Sequence, residues 1–120
     1  MTQRSSAALA AAVVQRQLEA YNARDIEAYA ACFADDAQGF DLGVPTPTLD
    51  GKAAIRARYA ELFARSPQLH STVVNRTAFA GVVIDYEHIT GRLGEPGVFE
   101  IMVIFEVEAG LIRRMHAVRA

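Results

Sequence analysis

Around Leu69 the apolar residues of this chain change their spacing from three and four to two, and no other feature limits its fold as strongly. Upstream, Ala10, Val13, Val14, Gln17, Leu18 and Tyr21 form one stripe of a helix predicted over Ala7 to Tyr21, with Ser5 or Ser6 placed to cap it. Asn22-Ala23-Arg24 interrupts the stripe, and Asp25 opens a shorter helix carrying Ile26, Tyr29, Ala30 and Phe33. A short strand is predicted near Gln38 to Asp41. The loop GVPTPTLDG follows, where Pro45 and Pro47 lack amides and restrict their predecessors. Asp50 stands as the cap of a third helix whose buried side is Ile55, Tyr59, Leu62 and Phe63, and Ser66-Pro67 ends it. Downstream, LHSTVVNRTAFA, GVVIDYEHITGR, VFEIMVIFEVE and LIRRMHAVR alternate as four strands. The connections at Gly81, Gly94 to Gly97 and Gly110 are short, which favours antiparallel neighbours. The expectation is an α+β domain in which helices cover one face of a sheet and solvent or a partner meets the other.

At 120 residues the chain is expected to form one domain, residues 1–120, and to bury roughly two-thirds of its unfolded surface. With 52% hydrophobic and 22% charged residues it is not a disordered composition. Arg56 and Arg58, or Arg113 and Arg114, are too sparse in a chain of net charge −2 to point to nucleic acid. Cys32 is the lone cysteine, which excludes an internal disulfide and a cysteine-based metal site. The histidines at 70, 88 and 116 come from different strands without a ligand motif, so no metal is expected. DLGVPTPTLDG lacks the spacing and the lysine of a phosphate loop, and no nucleophile elbow surrounds a serine, so no cofactor is implied. Arg4 followed by AALAAAVV imitates a signal peptide, but QRQLEAYNARD continues the run at helical spacing. The stretch is therefore taken as a mature helix and the protein as cytoplasmic. No segment approaches the apolar length of a membrane span.

This arrangement, together with VVQRQLEAYNARD, CFADDAQGFD, LDGKAAIRARYAELF and GLIRRMHAV, resembles the NTF2-like superfamily. Within it the likeness is to SnoaL-like and ketosteroid-isomerase-like proteins, and it covers nearly the whole chain. The resemblance implies a cone: a curved, mostly antiparallel sheet wrapped around three N-terminal helices (a cystatin-like α+β roll), open at one end to an apolar pocket. It also implies a homodimer through the outer sheet face. The superfamily holds isomerases, polyketide cyclases, epoxide hydrolases, dehydratases and non-enzymatic binding domains, so the fold does not select the function. Carried over by position, the steroid isomerase's carboxylate base matches Asp41 and its supporting tyrosine matches Tyr59. Its oxyanion-hole tyrosine falls at Gln17, and its protonated aspartate at Val103, or at Met102 with the gap placed differently. Both direct oxyanion donors are thus changed, which argues against steroid isomerisation.

The candidate residues each have two readings. Asp41, among Phe40, Leu42 and glycines, is either a general base activated by a dry cavity or a stabiliser of the turn before the prolines. Gln17, a carboxamide on an apolar stripe, holds either a ligand oxygen or a structural partner such as Tyr59. Tyr59 belongs either to the pocket or to the helix core. In VVIDYEHITG, alternation sets Asp85 and Glu87 against Tyr86 and His88, and it leaves open which pair faces inward. Pairing with Arg113, Arg114 or His116 favours the outer face for Glu87, with His88 as a reserve acid or base. The aliphatic row Phe99, Ile101, Val103, Phe105 and Val107 is assigned to the concave face. By the family likeness Met115 joins that face, with Arg119 near its mouth and His116 outside. The site thus drawn has Asp41 moving a proton and Gln17 and Tyr59 holding an oxygen, with Val103, Met115 and Arg119 lining the pocket. Its ligand is a small hydrophobic oxygenated molecule of polyketide-like or terpenoid kind, and the alternative is a non-catalytic ligand-binding or assembly domain.

Overall fold

The computed structural model of the protein describes residues 5–120, so Arg4 of the signal-like stretch lies outside the described residues. Helix α1 spans Ser6–Ala23, and the Ser5 hydroxyl caps it by accepting the Ala8 amide at 3.1 Å. Its stripe buries Ala10, Val13, Val14, Gln17, Ala20 and Tyr21, while Leu18 is only half-buried. The helix stops at Arg24, whose left-handed backbone (φ 54°) turns its amide back onto the carbonyls of Ala20 and Tyr21. The breaker segment also fastens the helix to the sheet. The Asn22 carboxamide accepts from the Ser71 amide at 2.7 Å and donates to the Ser71 carbonyl at 3.0 Å, as a neighbouring strand would. Arg24 donates to the Leu69 carbonyl at 2.9 Å.

Helix α2, Ile26–Ala30, is capped by Asp25 as predicted, but it ends before Phe33. Phe33 instead begins strand β1, Phe33–Asp41, which is more than twice the predicted length. The physical reason is a parallel ladder with the last strand: Phe33 pairs with Ile112, and the Ile112 amide donates to the Cys32 carbonyl at 2.8 Å. A two-residue strand β2, Leu49–Asp50, then pairs with β1. Asp50 does not cap helix α3, Lys52–Ala64, because its carboxylate is drawn across the ladder to Gln38 Nε2 at 3.0 Å. Gly51 occupies the cap position with φ 94° and no side-chain bond.

The remaining strands are β3, His70–Phe79, β4, Val82–Thr90, β5, Phe99–Glu108, and β6, Leu111–Arg119. They form one curved, unclosed six-stranded sheet in the order β2-β1-β6-β5-β4-β3, antiparallel everywhere except at β1–β6. The α+β cone follows from that order: the helices fill the concave side, and the predicted row of β5 faces them. Tyr21, Tyr29, Phe33, Tyr59 and Phe63 join the three helices to β1, with ring centroids 4.6–6.4 Å apart. No helix among the described residues is long and apolar enough to cross a membrane.

One glycine fixes how the end of β4 meets the connection between α3 and β3. Gly91 has φ +72°, and a Cβ there would lie 2.2 Å from the Gln68 carbonyl oxygen. Gly94 has the same φ with nothing within 4 Å. Gly91→Ala is expected to cost about 3 kcal/mol or more, and Gly94→Ala about 1 kcal/mol from the left-handed backbone alone. Urea denaturation of the two variants measures the difference, and equal costs would mean the close backbone approach is absent.

Candidate functional site

Between the concave face and the helices lies a cavity of about 140 Å³. Its apolar walls come from Ile89 of β4, Phe99, Ile101, Val103 and Phe105 of β5, and Met115 of β6. Helices α1 and α3 close the other side with Gln17, Tyr21, Tyr59 and Leu62. Gly39 of β1 also lines it, between Leu49 and Met115. A volume of this order accommodates one six-membered ring.

Glu87 is the carboxylate of the cavity wall. It lines the cavity, is 8% exposed, and shares its face with Val83 and Ile89, both buried. This corrects the outer-face assignment. Antiparallel pairing sets Glu87 opposite Ile101 and Asp85 opposite Val103, so an inward row on β5 carries both carboxylates inward. The two are treated differently. Asp85, 1% exposed, is gripped by Arg76 through Nε–Oδ1 and Nη2–Oδ2 contacts of 2.7 and 2.8 Å. Glu87 receives only the Ser71 hydroxyl, at 2.6 Å on Oε1. No buried side-chain oxygen lacks a partner among the described residues, so Oε2 reaches the open cavity. Burial raises the Glu87 carboxyl to about 7; the Asp85 charge adds to the rise, while Ser71 and Arg76 oppose it.

Around it stand phenols held neutral. Burial raises Tyr21, Tyr29 and Tyr59 above the ordinary tyrosine range, so each is a hydroxyl donor at neutral pH. Gln17, buried at 9% exposure, lines the cavity together with Tyr29 and Tyr59.

Of the other sequence candidates, Val103, Met115 and Arg119 line the cavity with Gln17 and Tyr59. Val103 rather than Met102 faces in, and Met102 is 41% exposed on the outer face. Asp41 is not in the cavity wall. Its half-exposed carboxylate pairs with Arg119 Nη1 at 2.5 Å, so the dry surroundings expected of a general base are missing. Nor does it serve the proline turn, which takes only its backbone carbonyl. His88 is a correction of position: it lies on the outer face with Tyr86, whose hydroxyl is 2.8 Å from its Nε2, and beside Glu100. The sheet separates it from any molecule in the cavity. His116 is outside as expected, stacked on Phe40 and 2.6 Å from Glu106. Sequence reasoning missed Glu87, Ser71, Arg58 and Arg92. The usable signal for Glu87 was the pairing of β4 with β5 across one connection, which fixes both faces once either is known.

Residues 14–115 match the SnoaL-like domain model. The chain belongs to the SnoaL-like domain family. Comparison with curated proteins gave no match. A cystatin-fold protein from Novosphingobium aromaticivorans is 25% identical with a TM-score of 0.82, over 98% of this chain and 100% of that one. A Jannaschia protein assigned as a SnoaL-like polyketide cyclase is 16% identical (TM-score 0.80), over 99% and 90% of the two chains. An LEH-like epoxide hydrolase of M. tuberculosis is 18% identical (TM-score 0.80), over 93% and 83%. At these identities the last two likenesses are of fold, and the SnoaL-like cavity must be read from its own residues.

A carboxyl raised to about 7 when folded and near 4.5 when unfolded retains a proton that the unfolded chain has lost. Stability is therefore full below about pH 4.5, falls as pH rises towards 7, and is flat above, with a total loss on the order of 3 kcal/mol. Glu87→Gln is expected to abolish that slope and to be the more stable protein at pH 8. Thermal unfolding from pH 5 to 8 checks it; a parallel pH profile in both proteins would contradict the raised pKa.

Proposed function

We propose that this SnoaL-like protein binds a small, largely apolar oxygenated molecule in the cavity and moves a proton on it, with Glu87 as the acid–base group. The observation that carries this reading is the buried Glu87 carboxyl, held by Ser71 on one oxygen and open to the cavity on the other. A base at this position takes a proton from a carbon beside a carbonyl and returns it elsewhere on the same molecule. The Tyr59 or Tyr21 hydroxyl donates to the oxygen on which charge develops. Near neutral pH such a group is ionised often enough to accept a proton and still basic enough to bind it. Asp41 then acts at the mouth, where it holds Arg119. A purely binding role is the second reading, favoured by the absence of the family isomerase's donors at Gln17 and Val103.

The test needs no prior substrate. Ring-sized ketones are incubated in deuterated buffer and exchange beside the carbonyl is followed by NMR. Catalysed exchange is expected, rising with pH through a midpoint near 7. It should fall by about 10²–10⁴ in Glu87→Gln and by less than about ten-fold in Asp41→Asn. Binding without exchange would favour the non-catalytic reading, and equal loss in the two variants would return the base role to Asp41.

We further infer a cytoplasmic homodimer joined through the outer sheet face. That face carries Phe79 at 79% exposure, with Met102, Val118 and Val82 also exposed. Met102→Arg is expected to shift sedimentation from dimer to monomer at micromolar concentration; an unchanged dimer would place the interface elsewhere.

A further inference from the structure

The cavity's charges are unevenly distributed. Arg58 of α3, Arg92 of the turn after β4 and Arg119 of β6 all line it, against one carboxylate, Glu87. In a chain of net charge −2 this is local enrichment. Glu87 is buried, whereas Arg58 and Arg119 are exposed and Arg92 half-buried, so the cations ring the open end and the carboxyl lies deep. Arg119 is held by Asp41, but Arg58 and Arg92 form no ion pair among the described residues. The Arg92 guanidinium lies 5.1 Å from the centre of the Phe99 ring, itself a wall residue, and is thereby kept at the cavity. Its charge reaches the Tyr21 hydroxyl, and those of Arg58 and Arg119 reach Tyr59. Ser66, wholly buried, accepts the Leu93 amide at 2.8 Å and holds the turn that carries Arg92.

Cations with apolar walls behind them focus a field into the opening and favour an anion there. We propose that the ligand is a small monocarboxylate, its apolar body against Phe99, Val103 and Phe105 and its carboxylate turned to Arg58, Arg92 and Arg119 at the mouth. Guanidinium groups match a carboxylate through paired hydrogen bonds. A phosphate monoester would bring a second negative charge against Asp41, which already occupies Arg119. The proposal rests on the reading of the cavity as a small-molecule site and adds the substrate class. It also sets the orientation: with the carboxylate outside, the atoms next to Glu87 are those at the far end of the molecule. The carbon that exchanges its proton is then remote from the acid group, as in an acid whose ketone lies across a ring.

Matched pairs decide it: cyclohexylacetate against cyclohexylacetamide, and phenylacetate against phenylacetamide, titrated by NMR at low and high salt. Each acid is expected to bind about ten-fold more tightly than its amide, with the preference shrinking as salt is raised. Arg58→Met, at an exposed position, and Arg92→Met, which keeps an apolar stem over Phe99, should each weaken the acids several-fold and leave the amides unchanged. Amides that bind as well as the acids would overturn the carboxylate class and leave the small-molecule reading standing. Failure of all four compounds to bind would overturn both.

Discussion

The parallel ladder between β1 and β6 is the constraint on which the rest of the structure depends. Phe33 to Asp41 lie beside Ile112 to Ala117, so the first strand is placed against the last across most of the chain. The ladder's register shifts between Phe33 and Gln38, a distortion that lets a sheet bend. Three antiparallel hairpin pairings alone would make a gently twisted sheet with one covered face. Adding β1 and β2 beyond β6 extends the curve around α1 and α3, and the cavity is the space that curve encloses beside Gly39. The helix end is secured separately, by Asn22 standing in for a strand at Ser71.

Two inward carboxylates two residues apart on β4 have opposite fates. Towards the closed side, Asp85 lies under α1, where Arg76 reaches across from β3 and is steadied by Gln15 at 2.8 Å. Removing the partner of such a buried carboxylate costs about 3–5 kcal/mol, while the intact pair is a weak source of net stability. Two residues on, the strand passes the cavity, and Glu87 has room in place of a cation. Its single serine donor orients the carboxyl without neutralising it. The outer face shows the opposite design, with Tyr86, His88, Glu100 and His116, Glu106 forming half-exposed polar pairs that need no cavity.

Much of this was legible in the sequence because periodicity reports burial directly. The helix stripes, the Asp25 cap and the aliphatic row of β5 all follow from spacing, and the inward Met115 from the family likeness. Three failures have one cause: a local signal was outweighed by a partner distant in sequence. Phe33 fits the helical stripe of α2, but pairing with Ile112 draws it into β1. Asp50 has the chemistry of a cap, but Gln38 competes for its carboxylate. Glu87 has the composition of a surface residue, and only its register with Ile101 shows otherwise. Asp41 and His88 looked chemically apt because composition reports what a side chain can do, without reporting whether it faces the space where it would act.

The cavity's polar side chains are separate from the backbone ladders that shape the sheet. They come from separate elements: Gln17 and Tyr21 from α1, Arg58 and Tyr59 from α3, Glu87 from β4 and Arg119 from β6. The backbone ladders that set the curvature involve none of these side chains, and the buried core beneath them is aliphatic and aromatic. Arg58 and Arg119, at exposed positions, can therefore change without disturbing the core, whereas Tyr21 and Tyr59 also belong to the aromatic packing. Phe105, Ile112 and Phe33 close the cone at full burial. What the scaffold supplies in this chain is a ring-sized space with a rim. On the proposed reading, the chemistry follows from which wall carries the ionisable group and which edge carries the charge: Glu87 on β4, and the arginines of α3, β6 and the turn after β4.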